Sequence, residues 1–339
     1  MINVGIVGAA GYTGETLIDL LLNHPEARIV YVSRKSDSAK QLAEVFPKFK
    51  NRIDLICGPT NIKEVSSKCD LIFLALPHTA SMSVVPKLLK AGKRVIDLSA
   101  DYRLKNTKVY ENYYGHKHLD KFNLKQAVYG LPELYRNKIK NACLVANPGC
   151  YSTAAILALA PIAALGAGDL DSIIIDAKSG VTGAGKKLVD DFLFSEVNED
   201  FKAYKVGVHQ HTPEINQVLS KLAIKKISVT FVPHLLPINR GILETIYINK
   251  AKGHGPRVKL TELYKKFYKK ESCVRIKKEG EFPRIKDVAG TNFCDIGIKE
   301  FSDKIIIIAA IDNLLKGASG VAVQNMNIMY KFPETLGLL

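Results

Sequence analysis

Ile2-Asn3-Val4-Gly5-Ile6-Val7-Gly8-Ala9-Ala10-Gly11-Tyr12-Thr13-Gly14 is the stretch that decides the fold. An apolar strand, Val4–Val7, runs into a glycine-rich turn. A helix pattern follows, with Leu17, Ile18, Leu21 and Leu22 on one face, until Asn23-His24-Pro25 stops it. Ala27–Ser33 then reads as a second strand. The whole is a βαβ unit whose turn has the form G-x-x-G-x-x-G, a variant of the dinucleotide fingerprint. Gly8, Gly11 and Gly14, with Tyr12 and Thr13 between them, let backbone N–H groups approach a pyrophosphate at the helix N-terminus. The second strand ends in Val32-Ser33-Arg34-Lys35. An NAD site usually places an acidic residue there for the ribose hydroxyls. Ser33, Arg34 and Lys35 instead suit a 2′-phosphate, so the expected cofactor is NADP(H).

Outward from this unit the alternation continues. Asp70–Leu76 reads as a buried strand closed by Pro77-His78-Thr79-Ala80-Ser81, and a helix with Val84, Val85, Leu88 and Leu89 ends at Gly92. Arg94–Leu98 is the next strand, closed by Ser99-Ala100-Asp101-Tyr102-Arg103. Strands alternating with helices imply an α/β, Rossmann-like, doubly wound parallel sheet with its ligand beyond the carboxyl ends of the strands. Residues 77–81 and 99–103 are therefore where cofactor and substrate are expected to meet. From about 170 to 315 the strand-like runs Ile173–Ala177, Lys226–Phe231, Ile242–Ile248 and Lys304–Ile311 outnumber helices. This predicts a second, α+β substrate and dimerisation domain with a mixed or antiparallel sheet. The expected boundaries are 1–148 for the NADP-binding domain, with a C-terminal helix in 316–339 returning to it, and 149–315 for the catalytic domain.

At 339 residues, two domains with proper cores are expected. A hydrophobic content of 47% fits an ordinary globular protein, and no apolar run approaches the length of a membrane span. The six cysteines show no CxxC spacing and no export signal precedes them, so free thiols in a reducing cytoplasm are expected. The net charge of +15 raises nucleic acid as a partner. Cations exceed anions in both halves of the chain, however, and the knots Lys265-Lys266, Lys269-Lys270 and Lys277-Lys278 fall at helical or strand-edge spacing, with Phe267 and Tyr268 between the first two. A solvated face is the better reading, and the positive field suits anionic small molecules.

Cys150 lies in Asn147-Pro148-Gly149-Cys150-Tyr151-Ser152-Thr153, ahead of the helix-like stretch Ala154–Ala164. A thiol at a helix N-terminus meets unpaired N–H groups and the positive end of the dipole, which favour thiolate and can hold an oxyanion. The competing reading is a small buried apolar residue. Gly180-Val181-Thr182-Gly183-Ala184-Gly185-Lys186-Lys187 nearly spells a P-loop, but Lys187 stands where Ser or Thr must hold Mg²⁺. An anion-binding or dimer-contact loop is expected instead. His209-Gln210-His211-Thr212-Pro213-Glu214 fits an acid/base group with orienting neighbours better than a metal site, because no ligand cluster has matching spacing. No metal is expected.

Together these runs resemble a known family. Gly8-x-x-Gly11-x-x-Gly14, Leu98–Arg103, Tyr129-Gly130-Leu131-Pro132-Glu133-Leu134, Asn147–Tyr151, Lys178–Gly185, His209–Ile215, Pro233–Gly241 and Asp312-Asn313-Leu314-Leu315-Lys316-Gly317 are similar, in order and over nearly the whole chain, to the N-acetyl-gamma-glutamyl-phosphate reductase family of arginine biosynthesis. Ser152 departs from the Pro common in that family. The resemblance implies NADPH-dependent reduction of an acyl phosphate to an aldehyde through a Cys150 thioester, with His209 as acid/base. It also implies cofactor contacts from Pro77, Ser179, Gly180 and Asn313, besides the residues of the first two strands. Substrate contacts fall on Ser99, Arg103, Asn147, His211, Glu214 and Arg240. A cytoplasmic homodimer or homotetramer acting on a small molecule, without nucleic acid or membrane partners, is the implied setting. Aspartate-semialdehyde dehydrogenase shares the chemistry, but its nucleophile and histidine runs differ. The main alternative is the related reductase of lysine biosynthesis, whose glutamyl or aminoadipyl phosphate is linked to a carrier protein. Asn147-Pro148 speaks against it, since that relative's nucleophile loop lacks the pair. A Rossmann protein without catalysis is the remaining alternative, and reductive turnover would exclude it.

Overall fold

The computed structural model describes residues 1–186, 189–250 and 259–339, and the chain forms two compact units. The first comprises Met1–Pro148 and Ala318–Leu339, the second Gly149–Gly317.

In the first unit the strands are β1 (Ile2–Val7), β2 (Ala27–Ser33), β3 (Lys40–Gln41), β4 (Ile56–Gly58), β5 (Leu71–Leu74), β6 (Arg94–Asp97), β7 (Val128–Tyr129) and β8 (Leu144–Ala146). They form one sheet in the order β3-β4-β2-β1-β5-β6-β8-β7, parallel throughout except for the β3–β4 pair. Successive residues explain why both faces are covered. Phe73 and Ile96 join the apolar cluster of Leu17, Ile18, Leu21 and Met326, whereas Ile72, Leu74 and Val95 join the cluster of Val65, Val85 and Leu88. A strand that must bury every side chain cannot alternate with polar residues, hence its uninterrupted apolar run. Each buried Leu or Ile of the Tyr12–Leu22 helix contributes about 1.5–3 kcal/mol to holding it on the sheet.

The second unit holds β9 (Ile174–Gly180), β10 (Lys202–Ala203), β11 (Thr230–Leu236), β12 (Ile242–Asn249), β13 (Val274–Ile276), β14 (Cys294–Glu300) and β15 (Lys304–Ile311), in the order β10-β11-β9-β12-β15-β14-β13. Parallel pairs (β9–β11, β13–β14) and antiparallel ones (β9–β12, β12–β15, β14–β15) make the sheet mixed. The expected strand Lys226–Phe231 is displaced to Thr230–Leu236. Side chains take the earlier backbone: Ser220 accepts the Ile227 N–H at 2.8 Å and Asn216 the Val229 N–H at 3.0 Å. Those donors are withdrawn from any ladder.

The helix Cys150–Leu165 is buried along nearly its whole length and packs on β12, β15 and the helix Thr212–Ala223. Pro161 inside it has no N–H to give the Leu157 carbonyl four residues earlier. That carbonyl is met by Tyr268 Oη at 2.5 Å, and Tyr264 Oη donates to the Ala158 carbonyl at 2.5 Å. The proline is thereby tolerated, and the helix stays continuous back to Cys150. Among the described residues no helix is long and apolar enough to cross a membrane.

Candidate active site

Cys150 is the first residue of its helix, four positions earlier than the apolar pattern alone marks, and Gly149 is the extended N-cap (φ −73°, ψ 153°). The Gly149 carbonyl accepts the Thr153 N–H at 2.8 Å and Thr153 Oγ1 at 2.9 Å. Its N–H donates to Glu214 Oε1 at 2.9 Å, from a carboxylate that is 1% exposed. A Cβ on Gly149 would collide with the imidazole of His211 at Nε2. The absent side chain therefore lets that ring lie against the residue preceding Cys150. Gly317 makes room on another side, since a Cβ there would stand 2.8 Å from the Cβ of Cys150.

His209 is 6% exposed and differently employed. Its Nδ1 accepts the His211 backbone N–H at 3.1 Å and its Nε2 lies 3.5 Å from Tyr204 Oη. Burial, helped by His211 and Lys205 and opposed by Glu214, pushes its pKa down to about 2. Tyr204 Oη donates to Tyr151 Oη at 3.2 Å, and Tyr151 donates to the His234 carbonyl at 3.2 Å. Burial raises both phenols well above their ordinary range. Nothing in the sequence reading marks these two hydroxyls, which lie 53 residues apart in the chain.

A second knot of predicted residues joins this one through Gly317, whose N–H donates to the Asp312 carbonyl at 2.9 Å. Asn313 accepts the Gly241 N–H at 2.8 Å and donates to Thr182 Oγ1 at 2.9 Å, so its amide ties two loops together. Gly180 donates to the Gly241 carbonyl at 2.9 Å, and Ser179 Oγ donates to the Gly180 carbonyl at 3.0 Å. Arg240 Nη1 stands 3.6 Å from the buried Asp312 carboxylate, with its side chain 34% exposed. In the P-loop-like run, Lys187 lies outside the described residues.

In the first unit the glycine turn has the shape a pyrophosphate needs. Gly8 adopts φ +87° and a Cβ there would strike the Ala75 carbonyl. A Cβ on Gly14 would strike the Ala9 backbone, while Gly11, the N-cap, faces open space. Tyr12 and Thr13 open the helix, and the Tyr12 carbonyl accepts Thr16 Oγ1 at 2.9 Å. At the end of β2, Ser33 is buried with Oγ 2.9 Å from Thr60 Oγ1. Arg34 is anchored by the carbonyls of Cys57 (3.3 Å) and Ser38 (3.2 Å), and Lys35 is exposed. A cavity of about 940 Å³ beside this end of β2 is lined by Val32, Gly58, Thr60, Asn61 and Lys63.

Pro77 is exposed after β5, and Asp101 draws the loop that follows it against the one after β6, accepting the N–H groups of Thr79 (2.7 Å) and Ser81 (3.1 Å). Ser99 Oγ donates to Asp97 at 2.7 Å and accepts the Asp101 N–H at 3.1 Å. Burial and the neighbouring Asp101 push the Asp97 pKa up to about 6. Arg103 is 5% exposed and donates to the carbonyls of Asn147 (2.7 Å) and Leu98 (2.8 Å). Asn147 in turn donates to the Ala318 carbonyl at 2.9 Å and accepts from Asn325 at 3.2 Å. Ser99, Arg103 and Asn147 thus form one buried group around Asp97. Among the described residues no three His, Cys, Asp or Glu side chains are grouped to hold a metal ion.

Comparison with known proteins matches residues 3–142 to the semialdehyde dehydrogenase NAD binding domain and residues 150–313 to the semialdehyde dehydrogenase dimerisation domain. An N-acetyl-gamma-glutamyl-phosphate reductase from Geotalea daltonii is 51% identical over 341 residues, covering 100% of this chain and 98% of the relative. The enzyme of that name from Symbiobacterium thermophilum is 47% identical, covering 100% and 97%. Among solved structures, aspartate semialdehyde dehydrogenase II from Vibrio cholerae superposes with a TM-score of 0.71 at 18% identity, covering 98% of this chain and 99% of that one. The Candida albicans aspartate semialdehyde dehydrogenase, solved with NADP, gives 0.71 at 16% identity, covering 97% and 98%. These two structures share the fold.

Proposed function

The chain belongs to the N-acetyl-gamma-glutamyl-phosphate reductase family, and from that premise we propose that it reduces N-acetyl-L-glutamyl 5-phosphate to the 5-semialdehyde, using NADPH and releasing phosphate, in arginine biosynthesis. The observation that carries the reading is Cys150 as first residue of a buried helix, with Glu214 holding the Gly149 N–H and the His211 imidazole lying against Gly149. The carrier-linked reductase of lysine biosynthesis finds no support among relatives at about half identity.

In this reading Cys150 Sγ attacks the acyl carbon. The C–S bond forms, the C–O bond to phosphate breaks, and phosphate leaves with its electron pair. First-turn N–H groups favour the negative charge on sulfur before attack and on oxygen afterwards. When bound, NADPH supplies the hydride that reduces the resulting thioester. The C–S bond then breaks, and semialdehyde and thiolate are released. A neighbouring imidazole takes the thiol proton, lends it to the oxygen that gains charge on reduction, and takes it back as the C–S bond breaks and the carbonyl re-forms. Sequence reading assigns that work to His209; the geometry favours His211, because the His209 ring is spent on Tyr204 and on the His211 backbone. Glu214 serves as a positioning residue on Gly149.

The turn Gly8-x-x-Gly11-x-x-Gly14, with Tyr12 and Thr13, fits the NADP(H) pyrophosphate, since added side chains at Gly8 and Gly14 would strike backbone. Ser33, Arg34 and Lys35 are assigned to the 2′-phosphate, and Pro77, Ser179, Gly180 and Asn313 to the nicotinamide end. Arg240, half-exposed beside Asp312, is assigned to an anionic group of the substrate. Ser99, Arg103 and Asn147 shape the substrate edge of the first unit. A cytoplasmic homodimer or homotetramer is proposed, supported by the match of residues 150–313 to a dimerisation domain and by Tyr247, 37% exposed on a strand of the mixed sheet. The assay is reduction of NADP⁺ with N-acetylglutamate 5-semialdehyde. Turnover that requires phosphate supports the reading, and its absence refutes it.

A further inference from the structure

The hydrogen bonds running from His209 to the backbone of His234 have a fixed direction. A carbonyl can only accept, so Tyr151 Oη donates to His234. The Tyr151 oxygen accepts the Tyr204 proton. With that proton committed, Tyr204 can meet His209 Nε2 only as an acceptor, which makes Nε2 the protonated nitrogen. The far side of the ring agrees independently. His209 Nδ1 accepts the His211 backbone N–H and so carries no proton. Burial keeps the ring neutral and both phenols protonated, so the order is stable across the working pH range.

We propose that Tyr204 and Tyr151 lock His209 as the Nε2–H tautomer and that His209 in this state is a positioning residue, holding the backbone of the His211 to which proton transfer is assigned above. The tautomer lock stands on geometry alone, whereas its kinetic consequence rests on the acyl-phosphate reductase reading. The two tyrosines act through His209.

The test is ¹⁵N NMR of histidine-labelled full-length protein, with His209 assigned by loss of its signals in His209→Gln. Wild type should show His209 as Nε2–H, without titrating between about pH 5 and 8. Tyr151→Phe leaves the Tyr204 proton without an acceptor and free to turn toward Nε2. The Nδ1–H form should then appear, and the His211 N–H bond should be lost. Tyr204→Phe, checked for fold by circular dichroism and NADPH binding, should lower kcat about ten- to a hundredfold, the cost of one unsatisfied buried donor, with KM changed less than about threefold. A His209 that reads Nδ1–H or titrates in wild type overturns the proposal. So do two phenylalanine variants that keep both the Nε2–H signal and wild-type kcat. If the reductase reading alone is wrong, wild type shows no turnover on this substrate while the NMR result stands.

Discussion

Gly149 has no side chain, and the space is used twice: Glu214 reaches its N–H and the His211 ring lies against its Cα side. Any larger residue would push the imidazole away from the residue before Cys150. On this account His211→Asn lowers kcat by about 10²–10⁴-fold, the usual worth of a positioned acid/base, and leaves NADPH affinity near wild type. Stopped-flow turnover with a separate cofactor titration checks it, and a near-silent His211→Asn contradicts it. A second residue-scale expectation concerns Arg34, whose guanidinium is already fastened to two backbone carbonyls and so stands preorganised. Replacing Arg34 and Lys35 with neutral residues should weaken NADP binding at least about tenfold and NAD binding far less, because a charge-assisted bond is worth about 1.5–3 kcal/mol. Equal losses for the two cofactors, read from dissociation constants, would place the 2′-phosphate elsewhere.

At the scale of elements, β12 carries an unusual buried carboxyl group. Glu244 is fully buried, neither oxygen has a hydrogen-bond partner among the described residues, and burial, opposed by Lys178, raises its pKa well above the ordinary carboxylate range. A raised folded pKa means the group favours folding at low pH and penalises it once the unfolded carboxyl ionises. That penalty grows by about 1.4 kcal/mol per pH unit above the unfolded pKa until the folded pKa is reached. Glu244→Leu should therefore stabilise the protein at pH 8 more than at pH 5 in urea unfolding, and equal gains at both pH values would rule out the ionisation account. Elements were legible where the signal is local. The turn after β1 and the strand β15 follow from glycine spacing and apolar runs. The strand near 230 was misplaced because Ser220 and Asn216, on the preceding helix, take the N–H groups of Ile227 and Val229. Cys150 was legible as lying at a helix N-terminus, but the apolar pattern starts only at Ala154, because Tyr151, Ser152 and Thr153 carry no helical periodicity.

For the whole molecule, the two-unit organisation reflects two kinds of sheet, one parallel and buried on both faces, the other mixed. The placement of Cys150 at a helix N-terminus and the glycine turn after β1 were readable because both stand next to strong local signals. The division of labour proposed for His209 and His211 was not, because the proposal draws on hydroxyls from Tyr151 and Tyr204 and on a missing side chain at 149. Covalent catalysis at Cys150 is the central claim, and one measurement bears on it most directly. The protein is mixed with NADP⁺ and N-acetylglutamate 5-semialdehyde in the absence of phosphate, NADPH is followed by rapid mixing, and the protein is digested for mass spectrometry. Covalent catalysis should give a burst of one NADPH per chain, an N-acetylglutamyl adduct on the Cys150 peptide that added phosphate removes, and neither signal in Cys150→Ser. A Cys150→Ser protein that still forms NADPH, or a wild-type burst with no adduct on Cys150, would contradict it.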